Sequence, residues 1–192
     1  MRKISSQRRF TVALGASALL VVSVAGAAFA ANTVVLSITG SGLTASVADL
    51  TLSSVPYQNA AHDVTGTMTL TADDSTGSGA GWNVTIQSSA LVWVGTANGG
   101  IDIPAAKFAL TSAAAPTLVA GQAVSATAAT GPQVPPVSPV GTLDTARKTL
   151  SATAAYGAGT YTQALGVTLT IPAMSHVGVY TGTLTTTITS AP

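Results

Sequence analysis

The side chains able to carry acid–base or metal chemistry are few. There are six acidic residues, all Asp (Asp49, Asp63, Asp73, Asp74, Asp102 and Asp144), and two histidines, His62 and His176. His62 and Asp63 are neighbours, so in a strand they point to opposite faces and do not pair. His176, between Pro172 and Gly178, reads as a solvated loop residue. Serine is plentiful, but no Gly-x-Ser-x-Gly elbow follows the first thirty residues, so a hydrolase triad is not indicated. Asp73-Asp74 opens a Gly-rich run to Gly81, where carboxylates and carbonyls could hold Ca²⁺. The alternating acidic spacing and closing Glu of an EF-hand are missing, so a solvated turn is expected. No Lys-Ser/Thr follows these glycines, which excludes a nucleotide loop. Cysteine is absent, and with it disulfides, thiolate metal sites and Cys nucleophiles. The expectation is a protein that is not an enzyme, with no catalytic residues, no metal site and no cofactor.

Two aromatic residues carry the remaining binding chemistry. Trp82 shares a parity with Val84 and Ile86, which suits a core anchor. Trp93 lies in Leu91-Val92-Trp93-Val94. Either indole could instead be an exposed platform for sugar rings, which aromatic faces bind through apolar contact.

These residues stand on strands. Thr and Val abound, Glu is absent, and Lys and Arg are scarce, which removes most good surface helix formers. Period-two alternation runs through 64–70, 82–87, 165–171 and 180–188. Segments 33–39, 43–52, 90–94 and 148–155 read as further strands, while 111–130 could be strand or irregular. Turn chemistry falls at 73–81, 98–100 and 157–159. The pattern predicts an all-β, antiparallel β-sandwich in a single domain spanning 31–192. A Pro-rich stretch over 131–140 interrupts it; its prolines cannot occupy a central strand and favour an extended surface loop.

The first thirty residues have another purpose. Arg2, Lys3, Arg8 and Arg9 precede an uncharged apolar run from Thr11 to Ala28, closed by Ala28-Phe29-Ala30. This is the layout of a signal peptide, 1–30, removed on secretion. Arg8-Arg9-Phe10 departs from twin-arginine spacing, so that route is not favoured. Without this segment, Lys107, Arg147 and Lys148 face six Asp, a net charge of −3, although the whole chain is +1. No cationic surface remains for nucleic acid. The end of the chain, Ile188 to Pro192, shows neither an apolar tail nor a basic stop, so neither a covalent wall anchor nor a membrane span in the mature chain is expected.

The run from Asp74 to Gly81, feeding Trp82-Asn83-Val84, resembles the first signature of WxL domains. Gly178-Val179-Tyr180-Thr181-Gly182-Thr183-Leu184 through Pro192 is similar to that family's closing strand, and Ile171-Pro172 fits before it. The first Trp-x-Leu has Val84 in place of Leu. The second falls on Thr186-Thr187-Ile188, without its Trp. The resemblance implies a β-rich domain attached non-covalently to the Gram-positive cell wall, with peptidoglycan or wall polysaccharide as ligand. It makes Trp82 and Val84 candidate wall-binding residues, beside Trp93 as an aromatic platform. Other surface proteins are a further class of partner. The alternative expectation is a structural subunit of a surface fibre or layer assembled through β-strand edges, because low-charge strands leave few Lys to guard them.

Overall fold

The computed structural model describes residues 36–96, 98–124, 131–137 and 139–191. The predicted signal peptide, residues 33–35 of the first expected strand and part of the Pro-rich stretch lie outside them. By its contacts the chain divides into two compact units, Met1–Ser37 and Ile38–Pro192. Of the first, Leu36 and Ser37 are described, exposed and without regular structure.

Among the described residues of the second unit, every regular element except one turn of 3₁₀ helix (η1, Ala105–Lys107) is a strand. In chain order these are β1 (Leu43–Val47), β2 (His62–Asp74), β3 (Trp82–Ser88), β4 (Val92–Val94), β5 (Phe108–Ala113) and β6 (Thr117–Gly121). They continue with β7 (Gly141–Thr142), β8 (Arg147–Ala152), β9 (Gly159–Ile171), β10 (Val179–Thr181) and β11 (Leu184–Ser190). The larger sheet has the order β1-β2-β9-β5-β7, with β6 pairing the same edge of β9 beyond β5. The smaller has the order β11-β3-β8, and β4 and β10 form a separate ribbon. All pairings are antiparallel.

Alternation explains why the two sheets meet. On β2 the inner positions are Val64, Met68, Leu70 and Ala72; on β9 they are Tyr161, Leu165, Val167 and Leu169. The register sets Val64 opposite Leu169, Met68 opposite Leu165 and Ala72 opposite Tyr161, so both strands turn the same apolar face inward. Trp82, Val84 and Ile86 of β3, with Leu150 and Ala152 of β8, complete one continuous core from the opposing sheet. The Trp82 and Tyr161 rings meet between the sheets at 6.1 Å. The outcome is the expected all-β sandwich.

Several boundaries differ from the sequence-based expectation. The strand expected over 43–52 ends at Val47, and 48–58 runs irregularly as a strap. Its Leu50 and Leu52 lie over Gly66, where a Cβ would come within 2.7 Å of Leu52 Cδ2; glycine at this inward position of β2 makes the slot they fill. The segment 36–39 is not a strand. Asp73 and Asp74 belong to β2 and not to the following turn, and Gly159 begins β9. The run 180–188 divides at Gly182-Thr183, because β10 pairs β4 whereas β11 pairs β3. Of residues 111–130, left open above, 111–124 supply the end of β5 and all of β6, and 125–130 lie outside the described residues. Described residues of the Pro-rich stretch form no strand, apart from a bridge between Gln133 and Ser151.

Candidate functional site

Trp82 and Val84 are both 0% exposed. Their parity on β3 faces them into the sandwich. The Trp82 Nε1–H donates to the carbonyl of Gly157 at 2.9 Å. Gly157 has φ +84°, and a Cβ there would reach 2.4 Å from the Ala152 Cβ. Tyr161, against the indole, donates its hydroxyl to the Gln122 carbonyl at 2.7 Å. Its pKa is raised, chiefly by burial and then by the nearby Asp74. Enclosed in this way, neither Trp82 nor Val84 exposes a face at the surface of the sandwich. Thr186, where the second family Trp is lost, is half-buried opposite Ile86 on edge strand β11.

Trp93 is placed differently. On the β4–β10 ribbon it pairs with Tyr180, and both side chains are half-buried on one face. The other face exposes Val92 at 51%, Val94 at 64% and Val179 at 65%. Trp93 donates its backbone N–H to Asp102 Oδ1 at 2.8 Å, and its ring meets His176 edge-on at 6.3 Å. The backbones of Gly95, Gly100 and Gly178 lie directly against the indole, where a Cβ at Gly100 would be 2.2 Å from ring carbons. Tyr180 donates its hydroxyl to the His176 carbonyl at 2.8 Å. Burial raises the Tyr180 pKa, while hydrogen bonds at His176 and Ser175 oppose the shift. His176 is thus half-buried against Trp93 and not a freely solvated loop residue. Ile101, Met174 and Val177 add further exposed apolar surface. Sequence reasoning missed this patch, although Val92-Trp93-Val94 and Val177-Gly178-Val179 carry its signal.

Beside the ribbon lies a groove of about 1010 Å³, bounded by the strap 48–58 and by 175–184. Val64, Leu91, Ile103, Phe108, Leu169 and Ile171 line it. His62 lies in its wall with both ring nitrogens buried and unpartnered, a costly arrangement for a polar group. As expected from strand parity, its neighbour Asp63 points away and accepts the Thr170 hydroxyl at 2.6 Å.

The other carboxylates are engaged locally. Asp73 accepts hydroxyls from Ser75 at 2.6 Å and Thr160 at 2.5 Å. Asp74, 4% exposed and on the opposite strand face, accepts the Thr76 hydroxyl at 2.6 Å and its N–H at 3.0 Å. Among the described residues no three His, Asp or Glu side chains gather where a metal ion could be held. No helix among them is long and apolar enough to cross a membrane.

A family model for the WxL domain, described as a surface cell wall-binding domain, matches residues 26–192. No curated protein and no solved structure matches the chain.

Proposed function

The chain belongs to the WxL domain family of surface, cell wall-binding domains, and from that premise we propose a secreted, non-enzymatic module that holds to peptidoglycan without a covalent link. The match across 26–192 carries the reading. Segment 1–30 would direct export and be removed. The carboxylates of Asp63, Asp73, Asp74 and Asp102 are occupied by neighbouring hydroxyl and N–H donors, which suits structural employment better than acid–base chemistry.

Contact with the wall is assigned to the β4–β10 ribbon. Of Trp82, Val84 and Trp93, only Trp93 retains accessible surface. Tyr180, on the same face of the ribbon, would extend the contact. Aromatic rings meet sugar rings through apolar faces, and such contacts need no charge from the protein.

Co-sedimentation of residues 31–192 with purified Gram-positive walls tests this. Wild-type protein is expected in the pellet, and Trp93→Ala, checked for folding by circular dichroism, is expected to bind about tenfold more weakly, near 1.4 kcal/mol. Wild-type protein left in the supernatant would overturn attachment. Equal retention of the variant would remove the ribbon as the contact.

A further inference from the structure

Both rims of the groove lack main-chain partners. The strap is tied down only at its ends. At one, Ala48 donates its N–H to the Thr69 carbonyl at 3.4 Å; at the other, the Gln58 carbonyl accepts the Met174 N–H at 3.1 Å. Between them no hydrogen bond among the described residues reaches the backbone of 49–57.

The opposite rim is β10, and its register shows which of its groups are open. Leu91 exchanges backbone hydrogen bonds with Ile103, and the Trp93 N–H turns to Asp102, so both residues point their backbone groups away from β10. By alternation Val92 and Val94 bond β10. Tyr180, opposite Trp93, therefore directs its N–H and C=O away from β4, toward the groove. Among the described residues no strand pairs this edge, and the backbone groups of Gly178 and Gly182, on either side, have no partner either.

The floor between the rims is apolar, formed by Val64, Ile103, Phe108 and Leu169 with the half-buried Leu91 and Ile171. His62, inward on β2 by the same parity as Val64, adds two buried ring nitrogens without a partner. No Lys or Arg lines the groove, and Asp49 is its one acidic residue.

These features select the occupant. An extended polypeptide repeats its N–H and C=O groups along one edge every two residues, about 6.7 Å, as a β-edge does, and turns alternate side chains to one face. An acyl chain would leave the rim groups unanswered, and a highly charged segment would find no counter-charge beyond Asp49. A second copy of this domain has no strand to spare, because each of β1 to β11 is already paired. We propose that the groove takes up an extended, uncharged segment of another protein, added as a strand along the free edge of β10 and facing the strap, with its alternate apolar side chains on the floor. The inference stands apart from wall attachment, which uses side chains on the ribbon face and not this edge.

The test starts from selection of a phage-displayed library of random eight-residue peptides on residues 31–192, followed by synthesis of the recovered sequences. These are expected to be uncharged, with apolar residues at every second position. In amide exchange followed by NMR, saturating peptide should slow the Tyr180 amide and amides within 49–57 at least tenfold. N-methylation at alternate peptide positions should weaken binding at least tenfold, and at the intervening positions should not. Ile171→Asp, checked for folding by circular dichroism, should lose the peptide while still sedimenting with walls. Failure to recover any peptide, protection confined to other amides, or uniform tolerance of N-methylation would each overturn the proposal. So would slowing of the Tyr180 amide by soluble glycan strands, or by raised protein concentration, where no peptide slows it.

Discussion

Trp82 reaches 75 residues along the chain to its acceptor, Gly157, and fills the space between two sheets. Trp82→Ala is expected to destabilise the domain by about 3–5 kcal/mol, read from urea unfolding with the slope unchanged. His62 makes the opposite case. Its buried nitrogens have no partners, so His62→Leu should raise stability by about 1 kcal/mol. Tyr161 and Tyr180 give the domain an alkaline limit. Both pKa values are raised above the ordinary 10.0, by burial first. Above pH 10 the unfolded chain releases these protons while the folded one keeps them, so stability falls with rising pH; below pH 10 it is fully present. Unfolding midpoints should be flat from pH 7 to 9 and decline above 10, less steeply in Tyr161→Phe. The core role of Trp82 was legible in its parity with Val84 and Ile86. Its partner was not, because nothing near Gly157 in sequence points to an indole. The engagement of Asp74 was hidden for a related reason: strand and turn residues look alike where polar side chains continue a β-strand.

At the scale of elements, alternation was readable wherever one face is buried and the other is not. It gave 165–171 but missed the first half of β9, where Gln163 occupies an inward position. That side chain is 1% exposed and donates to the carbonyls of Ala114 at 2.9 Å and Thr149 at 3.0 Å, linking the two sheets. A buried polar group breaks the hydrophobic pattern while satisfying the fold. The division of 180–188 into β10 and β11 was illegible because parity runs through the break; a change of partner leaves no mark on local pattern. The strap 48–58 depends on a single missing side chain. Gly66→Val should displace Leu50 and Leu52 at a cost of about 1–3 kcal/mol, and limited proteolysis should then cut within 49–57 several times faster than in the wild type.

For the whole molecule, composition announced an all-β domain, and the family likeness, carried by Trp82 and the closing strand, identified its class. The ribbon patch and groove were not legible, since they assemble from β4, the strap and residues 175–184, distant segments that carry no shared motif. The order in which the strands pair has a consequence in time. Among the described residues only β1–β2 joins strands that follow one another; β2 waits for β9, and β3 for β8 and β11. Such non-local pairing places refolding in the range of milliseconds to seconds. A chain ending at Ala158 lacks β9 and β11, and its circular dichroism should show no folded sheet. On the proposed export route this keeps the polypeptide threadable: most of it can cross the membrane as an unfolded line, and the sandwich closes only when β9 to β11, from Gly159 onward, arrive outside.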